Sequence, residues 1–193
     1  FYIFEFTHLH MDKKELLYSA ALEMFVTNGF HATPTAKIAE KAGVANGTLF
    51  NYFPTKDDLV KNLYLHTKDE LSEFLNDTVS GISVKDCMKM QYVSTIQWSL
   101  ENRVKYRYMN LFATSAYMNL LDDATKLNDE SYQLIQKGMD YGLIQKLPID
   151  FVHNLIYGHT FALHTYLSKN ELSPYQKEKM IENAFDMLWR MLR

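Results

Sequence analysis

The sequence has 193 residues, of which 47% are hydrophobic, so the chain is long enough to bury a substantial apolar core. The formal net charge of −3 excludes the strongly basic surface of histone-like or ribosomal proteins. The single cysteine, Cys87, cannot form a disulfide within the chain, and no apolar run approaches the roughly 18 residues of a membrane-spanning helix. These features favour a cytoplasmic protein.

Residues 1–11 are rich in aromatic side chains and end where Met11-Asp12-Lys13-Lys14 resembles an ordinary start of translation. They lack the charged segment and the small-residue cleavage site of a secretory signal. We therefore interpret residues 1–11 as an N-terminal extension or a remnant of an expression vector, and we expect the folded domains to begin after them.

Apolar residues recur at intervals of three and four along most of the remaining chain, which is the period of an amphipathic helix. Gly29, Gly43 and Pro54 interrupt this pattern, and Thr55 with Asp58 forms a capping box. No alternating segment typical of a β-strand is present, so the fold class is predicted to be all-α. The predicted helices are residues 12–28, 34–42, 46–53, 55–79, 84–101, 103–118, 123–142, 149–168 and 174–192.

The second and third predicted helices are short, and a tight turn at Gly43 joins them. Two helices in this arrangement are typical of a helix-turn-helix, whose second helix enters the major groove of DNA. Leu49 and Phe53 can face the core while small polar side chains remain outside. The pattern alone is equally compatible with a helical hairpin that has no role in DNA binding.

The segment from Thr33 to Leu59, TPTAKIAEKAGVANGTLFNYFPTKDDL, resembles the signature of the tetracycline-repressor (TetR) family of transcriptional regulators. The resemblance implies a helix-turn-helix DNA-binding domain at residues 12–57 and a ligand-binding and dimerisation domain at residues 58–193. It also implies a non-enzymatic regulator, expected to be a repressor that a small hydrophobic or aromatic effector releases from a palindromic operator of double-stranded DNA.

Position by position, the resemblance assigns phosphate contacts to Thr35, Tyr52 and Lys56. It assigns the edges of the bases to Asn46, Gly47, Thr48 and Asn51. Ala45 stands where serine or threonine often caps the recognition helix, and Phe50 stands where tyrosine is common, so hydroxyl contacts are lost at both of these DNA-facing positions. Residues 12–60 contain five lysines and six acidic residues. DNA affinity must therefore depend on where the charges lie rather than on a general positive field.

Residues 88–166 are rich in aromatic side chains and methionine. Most such residues in helices are core residues, but the resemblance implies an effector pocket in this region. Tyr106, Tyr117 and His164 can supply orienting hydrogen bonds. The predicted ligand-binding residues are Trp98, Tyr106, Phe112, Tyr117, Met118, Phe161 and His164.

The last two predicted helices carry apolar residues on more than one side, including Phe151, Phe161, Met187 and Met191. A monomer buries one face of a helix, so this surplus predicts a homodimer through the last two helices, as the resemblance also implies.

We predict no cofactor and no metal site, because His153, His159 and His164 are spaced by six and five residues rather than four. Two alternatives stay open at this point. One is a helical ligand-binding protein or enzyme that does not bind DNA, and the other is a regulator that responds to a protein partner.

Overall fold

The computed structural model describes residues 12–75, 82–121 and 130–193, and its described residues confirm the predicted all-α fold class. Within these ranges no helix combines the length and the apolar character needed to cross a membrane. The α-helices are α1 (Lys13–Asn28), α2 (Thr35–Lys41), α3 (Asn46–Tyr52), α4 (Lys56–Leu75), α5 (Val84–Glu101), α6 (Arg103–Ala113), α7 (Glu130–Asp140), α8 (Ile149–Lys169) and α9 (Pro174–Leu192), and a 3₁₀ helix spans Ala116–Leu120.

Helix α4 begins with the predicted reciprocal cap. The Thr55 hydroxyl accepts the N–H of Asp58 at 3.0 Å, and the Asp58 carboxylate accepts the N–H of Thr55, also at 3.0 Å. These bonds satisfy donors at the helix start that no helical carbonyl reaches. The predicted continuation of this helix over residues 76–79 lies outside the described residues, as does the predicted beginning of the seventh helix at residues 123–129.

The prediction of one continuous helix over residues 103–118 is wrong, because α6 ends before Thr114 and the 3₁₀ helix follows. Two adjacent hydroxyl side chains explain the break. Thr114 donates its hydroxyl to the carbonyl of Asn110 at 2.8 Å, and the Ser115 hydroxyl accepts the N–H of Tyr117 at 3.2 Å. Such local side-chain bonds compete with continuation of a helix, and here they start a new turn.

Buried apolar side chains form two cores. The N-terminal core joins α1, α2 and α3 to α4 and α6, and Phe25, Leu49 and Tyr108 are fully buried in it. The C-terminal core joins α5 to α7, α8 and α9 around Ile96 and Phe185. Apolar packing is therefore continuous between the helix-turn-helix region and the helices that follow it in the chain.

Aromatic contacts hold α6 against α1. The ring of Tyr108 lies 6.2 Å from that of Phe25 and 5.9 Å from that of Phe30, measured between centroids. The Tyr108 hydroxyl donates to the carbonyl of Val60 in α4 at 2.7 Å, and burial raises the pKa of this phenol. One side chain on α6 therefore contacts both α1 and α4.

Replacing Tyr108 by phenylalanine removes this hydrogen bond and keeps the ring. We expect the free energy of unfolding to fall by about 1 kcal/mol. In a chain of this size the melting temperature should then fall by about 2–4 °C in differential scanning calorimetry. Tyr141→Phe is the matched control, because Tyr141 is 65% exposed and surface substitutions usually change stability by less than about 0.5 kcal/mol. Equal melting temperatures for Tyr108→Phe and the wild type would contradict the role given to this bond.

Candidate DNA-binding surface and ligand cavity

Helices α2 and α3 form a compact pair around a short turn. Gly43 in this turn has a φ of 69°, a left-handed conformation that glycine adopts without steric cost. The N–H of Val44 donates to the carbonyl of Ala39 at 3.0 Å, which closes the turn. Ile38 of α2 and Leu49 of α3 are both fully buried in the N-terminal core. The two helices have the geometry of the predicted helix-turn-helix.

The residues predicted to contact DNA all retain solvent exposure. Thr35, Thr48 and Lys56 are half-buried, and Ala45, Asn46, Gly47, Phe50, Asn51 and Tyr52 are exposed. Phe50 and Tyr52 are 41% and 40% exposed, although aromatic side chains of this size are usually buried. The N-cap residue of α3, Ala45, makes no side-chain capping bond, as its sequence position predicts. This surface is free to contact a partner.

Gly47 lies near the start of α3, and nothing inside the protein requires a glycine there. A Cβ atom added to Gly47 would meet no atom within 4 Å. Its φ is not in the left-handed region, which among the glycines of the described residues is occupied by Gly29, Gly43 and Gly142. Any requirement for glycine at this position must therefore come from outside the chain.

Acidic partners engage two of the lysines near this surface. The ammonium group of Lys37 lies 2.7 Å from the Glu40 carboxylate, and that of Lys41 lies 2.8 Å from the Glu23 carboxylate. At the start of α4, partial burial lowers the pKa of Lys56, and the neighbouring Asp57 acts in the opposite direction. The positive charge available to DNA is thus smaller than the number of lysines suggests.

A cavity of about 520 Å³ lies between the helices of the C-terminal half. Residues from α4, α5, α6, α7, α8 and α9 and from the 3₁₀ helix line it. Much of its wall is apolar, with Leu71, Met88, Met109, Ile135 and Leu188 among the lining side chains. A cavity of this size and character can enclose a small organic molecule.

Two of the residues predicted to bind a ligand, Tyr106 and Met118, line this cavity. Three others lie in or against the N-terminal core instead. Trp98 and Phe112 are buried in it, and Tyr117 packs against it. Aromatic side chains at helical spacing thus divide between the cavity and the core, as the alternative interpretation of this region allowed.

The remaining two predicted ligand-binding residues, Phe161 and His164, lie on α8 and are not among the residues that line the cavity. Phe161 is 45% exposed. The Nδ1 and Nε2 atoms of His164 lie 2.8 Å and 3.2 Å from the hydroxyls of Ser99 and Ser168. The Ser99 hydroxyl has one hydrogen, which it donates to the carbonyl of Ile96. Its oxygen therefore accepts a hydrogen bond from the N–H at Nδ1 of His164. Both ring nitrogens therefore have partners within the protein. Burial lowers the pKa of His164, and the charge of Arg103 acts in the same direction.

Several residues of the cavity wall were not singled out in the sequence. They include Tyr64 and Lys68 of α4, Tyr132 of α7, and Asn154 and Tyr157 of α8. Spacings of three and four place each same-helix pair on one helical face. The same spacing describes any core-facing helix, so the sequence contains no signal that separates a cavity wall from a packed core.

Three tyrosines, Tyr92, Tyr106 and Tyr157, are among the residues that line the cavity. The Tyr92 hydroxyl lies 2.9 Å from Nδ1 of His159, and the Tyr157 hydroxyl donates to Oδ1 of Asn110 at 2.8 Å. The buried hydroxyl of Tyr106 has no acceptor for its proton among the described residues. Burial raises the pKa of all three phenols, so they remain protonated donors at neutral pH.

Helices α8 and α9 expose apolar side chains that their own subunit does not cover. The exposed large residues are Phe151, Phe161, Tyr166, Tyr175, Met187 and Met191. On α8, Phe151, Gly158 and Phe161 follow a spacing of seven and three, which places them along one stripe. We call the six exposed residues of α8 and α9 together the apolar stripe. Phe185 and Leu188, which also lie on α9, are buried in the C-terminal core.

Comparison with known proteins identifies the N-terminal region. Residues 17–63 match the family model of bacterial regulatory proteins of the tetR family. Over 145 residues the chain is 30% identical to the HTH-type transcriptional regulator RutR of Escherichia coli (strain K12), covering 73% of this chain and 68% of that protein. It is also 41% identical over 69 residues to the HTH-type transcriptional regulator LuxR of Vibrio harveyi, a match that covers 36% of this chain and 34% of LuxR.

The likeness extends to the whole fold. The crystal structure of a tetR family transcription regulator from Shewanella sp. PV-4 superposes with a TM-score of 0.80 at 27% identity, covering 94% of this chain and 98% of the other. The helix-turn-helix geometry, the family match and the identity to RutR agree. The chain therefore belongs to the TetR family and is a DNA-binding transcriptional regulator rather than an enzyme.

Proposed function

We propose that the protein is a homodimeric repressor, released from a palindromic operator when a small hydrophobic or aromatic effector fills the cavity. The observation that carries this proposal is the position of the cavity. It is bounded by α4 and α6, the same helices that contribute to the N-terminal core with the helix-turn-helix. The proposal places the protein in the cytoplasm, where bacterial DNA lies.

Helix α6 connects the cavity with α1. Tyr106, Met109 and Ala113 of α6 line the cavity. Tyr108 and Phe112 are fully buried in the N-terminal core, on an adjacent face of the same helix. Protein interiors are densely packed, so a displacement of α6 by a ligand must be taken up at its contact with α1.

Helix α4 offers a second connection. Tyr64 and Lys68 line the cavity, and the same helix begins at Lys56, directly after α3. At 1.5 Å per residue, the eight residues from Lys56 to Tyr64 span about 12 Å. A ligand that prefers one placement of α4 and α6 shifts DNA binding by its difference in affinity for the two states. Couplings of about 1–3 kcal/mol correspond to roughly 5- to 150-fold changes in DNA affinity.

The apolar stripe supports the dimer. One recognition helix reads too few base pairs for a specific site, whereas a two-fold dimer presents two of them to successive major grooves. The stripe lies on α8 and α9, and a second copy of the chain would cover it with an identical surface. Isologous packing of these helices would remove the stripe from water.

Replacing Gly47 by alanine should separate DNA contact from folding. The added methyl group meets open space in the free protein, and alanine favours a helix over glycine by up to about 1 kcal/mol. The melting temperature should therefore stay unchanged or rise. Affinity for an operator selected from random DNA should fall about tenfold or more, equivalent to about 1.4 kcal/mol, because the methyl group occupies the space of the approaching duplex. Fluorescence anisotropy with labelled operator measures this loss.

Two further variants test the assigned contacts. Asn46→Ala should change which bases are selected, at a cost of about 1–3 kcal/mol for the preferred site. Lys56→Ala should weaken binding to all sequences. It should also reduce the slope of log affinity against log salt concentration by about 1, the loss of one phosphate contact. Undiminished operator affinity for Gly47→Ala, together with an unchanged selected motif for Asn46→Ala, would refute the placement of α3 in the major groove.

Replacing Met187 by glutamate should abolish the dimer. Met187 is 60% exposed within one subunit, so the charge does not disturb the subunit core. In the dimer the glutamate side chain would be buried without a charged partner. An unpaired buried charge costs several kcal/mol. We expect sedimentation as a monomer at micromolar concentration, with a wild-type dimer under the same conditions. Glu178→Lys, also an exposed position on α9 but outside the stripe, is the control. A monomeric wild type would exclude the dimer.

Replacing Ala113 by tryptophan should fill the cavity from within. Ala113 lines the cavity, and overpacking costs about 1–3 kcal/mol of stability, so the melting temperature is measured first. The neutral dye N-phenyl-1-naphthylamine should bind the wild type and lower its operator affinity. The variant should lose both dye binding and this response, whereas Gln145→Trp, at an exposed position outside the cavity, should keep both. Thermodynamic reciprocity requires the dye to bind free and operator-bound protein differently, and equal affinities would disprove the coupling.

A further inference from the structure

We propose that the effector is an uncharged amphiphile whose carbonyl group accepts a hydrogen bond from the Tyr106 hydroxyl. This inference rests on the proposed function and names the chemical class of the effector. Its starting observation is that Tyr106 lines the cavity, is only 3% exposed, and has a hydroxyl whose proton no group of the described residues accepts. A buried donor without a partner is costly, so a ligand that supplies an acceptor gains affinity there.

Two polar side chains beside Tyr106, Asn110 and His164, do not accept its hydroxyl proton. Asn110 holds the Tyr157 hydroxyl on its Oδ1 and donates its Nδ2 to the carbonyl of Tyr106 at 2.6 Å. Burial raises the pKa of Tyr106, and a hydrogen bond donated by the Asn110 amide to the phenol oxygen opposes this rise more weakly. An amide N–H cannot accept the phenol proton. The ring of His164 lies 4.4 Å from that of Tyr106, but serine hydroxyls occupy both of its nitrogens.

The surroundings of Tyr106 disfavour a charged ligand. Tyr92 and Tyr157 also line the cavity. Electrostatic interaction with Tyr106 adds to the rise in the pKa of each of these two phenols. Burial raises the pKa of these phenols, because a negative charge in this environment loses its hydration. A carboxylate placed beside them would lose hydration in the same way. A neutral carbonyl accepts the same hydrogen bond without that cost.

Charged groups of the described cavity wall belong to residues that keep contact with solvent. Glu130 and Asp150 are exposed residues, and Lys68 is half-buried. The Asp150 carboxylate already accepts the hydroxyl of Tyr132 at 2.9 Å. The phenols, in contrast, are buried, and the apolar side chains of the same cavity suit a hydrocarbon ring or chain. These features together favour an amphiphile with one embedded carbonyl.

The test uses three compounds that share a ring system and differ in one group: 2-acetylnaphthalene, 2-ethylnaphthalene and 2-naphthoate. Their binding to the full chain is measured by displacement of N-phenyl-1-naphthylamine. In the wild type, the ketone should displace the dye at about five- to tenfold lower concentration than the ethyl compound or the carboxylate, the gain typical of one net hydrogen bond. Tyr106→Phe should reduce the ketone to the level of the ethyl compound.

Stability measurements separate a ligand contact from a structural role. Tyr106→Phe should melt at the same temperature as the wild type or higher, because it removes an unsatisfied buried hydroxyl. Tyr108→Phe is the matched control, since its hydroxyl is bonded to Val60 and it does not line the cavity. This control should melt lower and keep the preference for the ketone.

Each result decides the inference. If the dye binds but the ketone has no advantage in the wild type, the carbonyl contact is refuted while the effector cavity stands. The same conclusion follows if 2-naphthoate binds best or if Tyr106→Phe keeps the advantage. If the dye and all three compounds fail to bind, the effector function and the inference both fail. The comparison of ketone and ethyl compound in the wild type needs no variant to fold.

Discussion

The packing of α6 against α1 is the contact on which the proposed coupling between the cavity and the helix-turn-helix depends. Tyr108 brings its ring to Phe25 and Phe30 and its hydroxyl to α4, so three helices share one buried side chain. Aromatic side chains each bury about 150–250 Å². Separating the helix-turn-helix from α6 would expose several of them at once, which makes independent movement unfavourable. The helix-turn-helix must therefore follow α6 and α4 when these helices move.

The cavity occupies the seam between the two hydrophobic cores. Leu71 and Met109 on its wall belong to the N-terminal core, whereas Met88, Ile135 and Leu188 belong to the C-terminal core. Each core is closed by its own side chains, and the space between them is left unfilled. The proposed effector would contact both cores in this space and would thereby favour one relative position of the two. In the proposal, the tyrosine hydroxyls of the wall select which molecule binds.

The sequence predicted the helix-turn-helix more completely than the cavity, and the reason is physical. The turn at Gly43 and the inward position of Leu49 follow from interactions within a few residues. The cavity depends on pairs far apart in the chain, such as Tyr92 with His159 and Tyr157 with Asn110, which are separated by 67 and 47 positions. Helical periodicity identifies the buried face of a helix but not what that face meets. Tyr106 was predicted from the sequence to bind a ligand, whereas Tyr157, which also lines the cavity, was not.

Helix α8 shows why the proposed effector site and the proposed dimer surface belong to one mechanism. Tyr157 on α8 faces the cavity, Val152 is fully buried in the C-terminal core, and Phe151 and Phe161 are exposed in the apolar stripe. Under the proposal, a ligand that displaces α6 would change the position of the helix-turn-helix within its subunit. A ligand that displaces α8 would change the angle at which two subunits meet. In a two-fold dimer either change would occur in both subunits. The two displacements would then add in the separation of the recognition helices, and that separation must match one turn of DNA, about 34–36 Å, for both to bind.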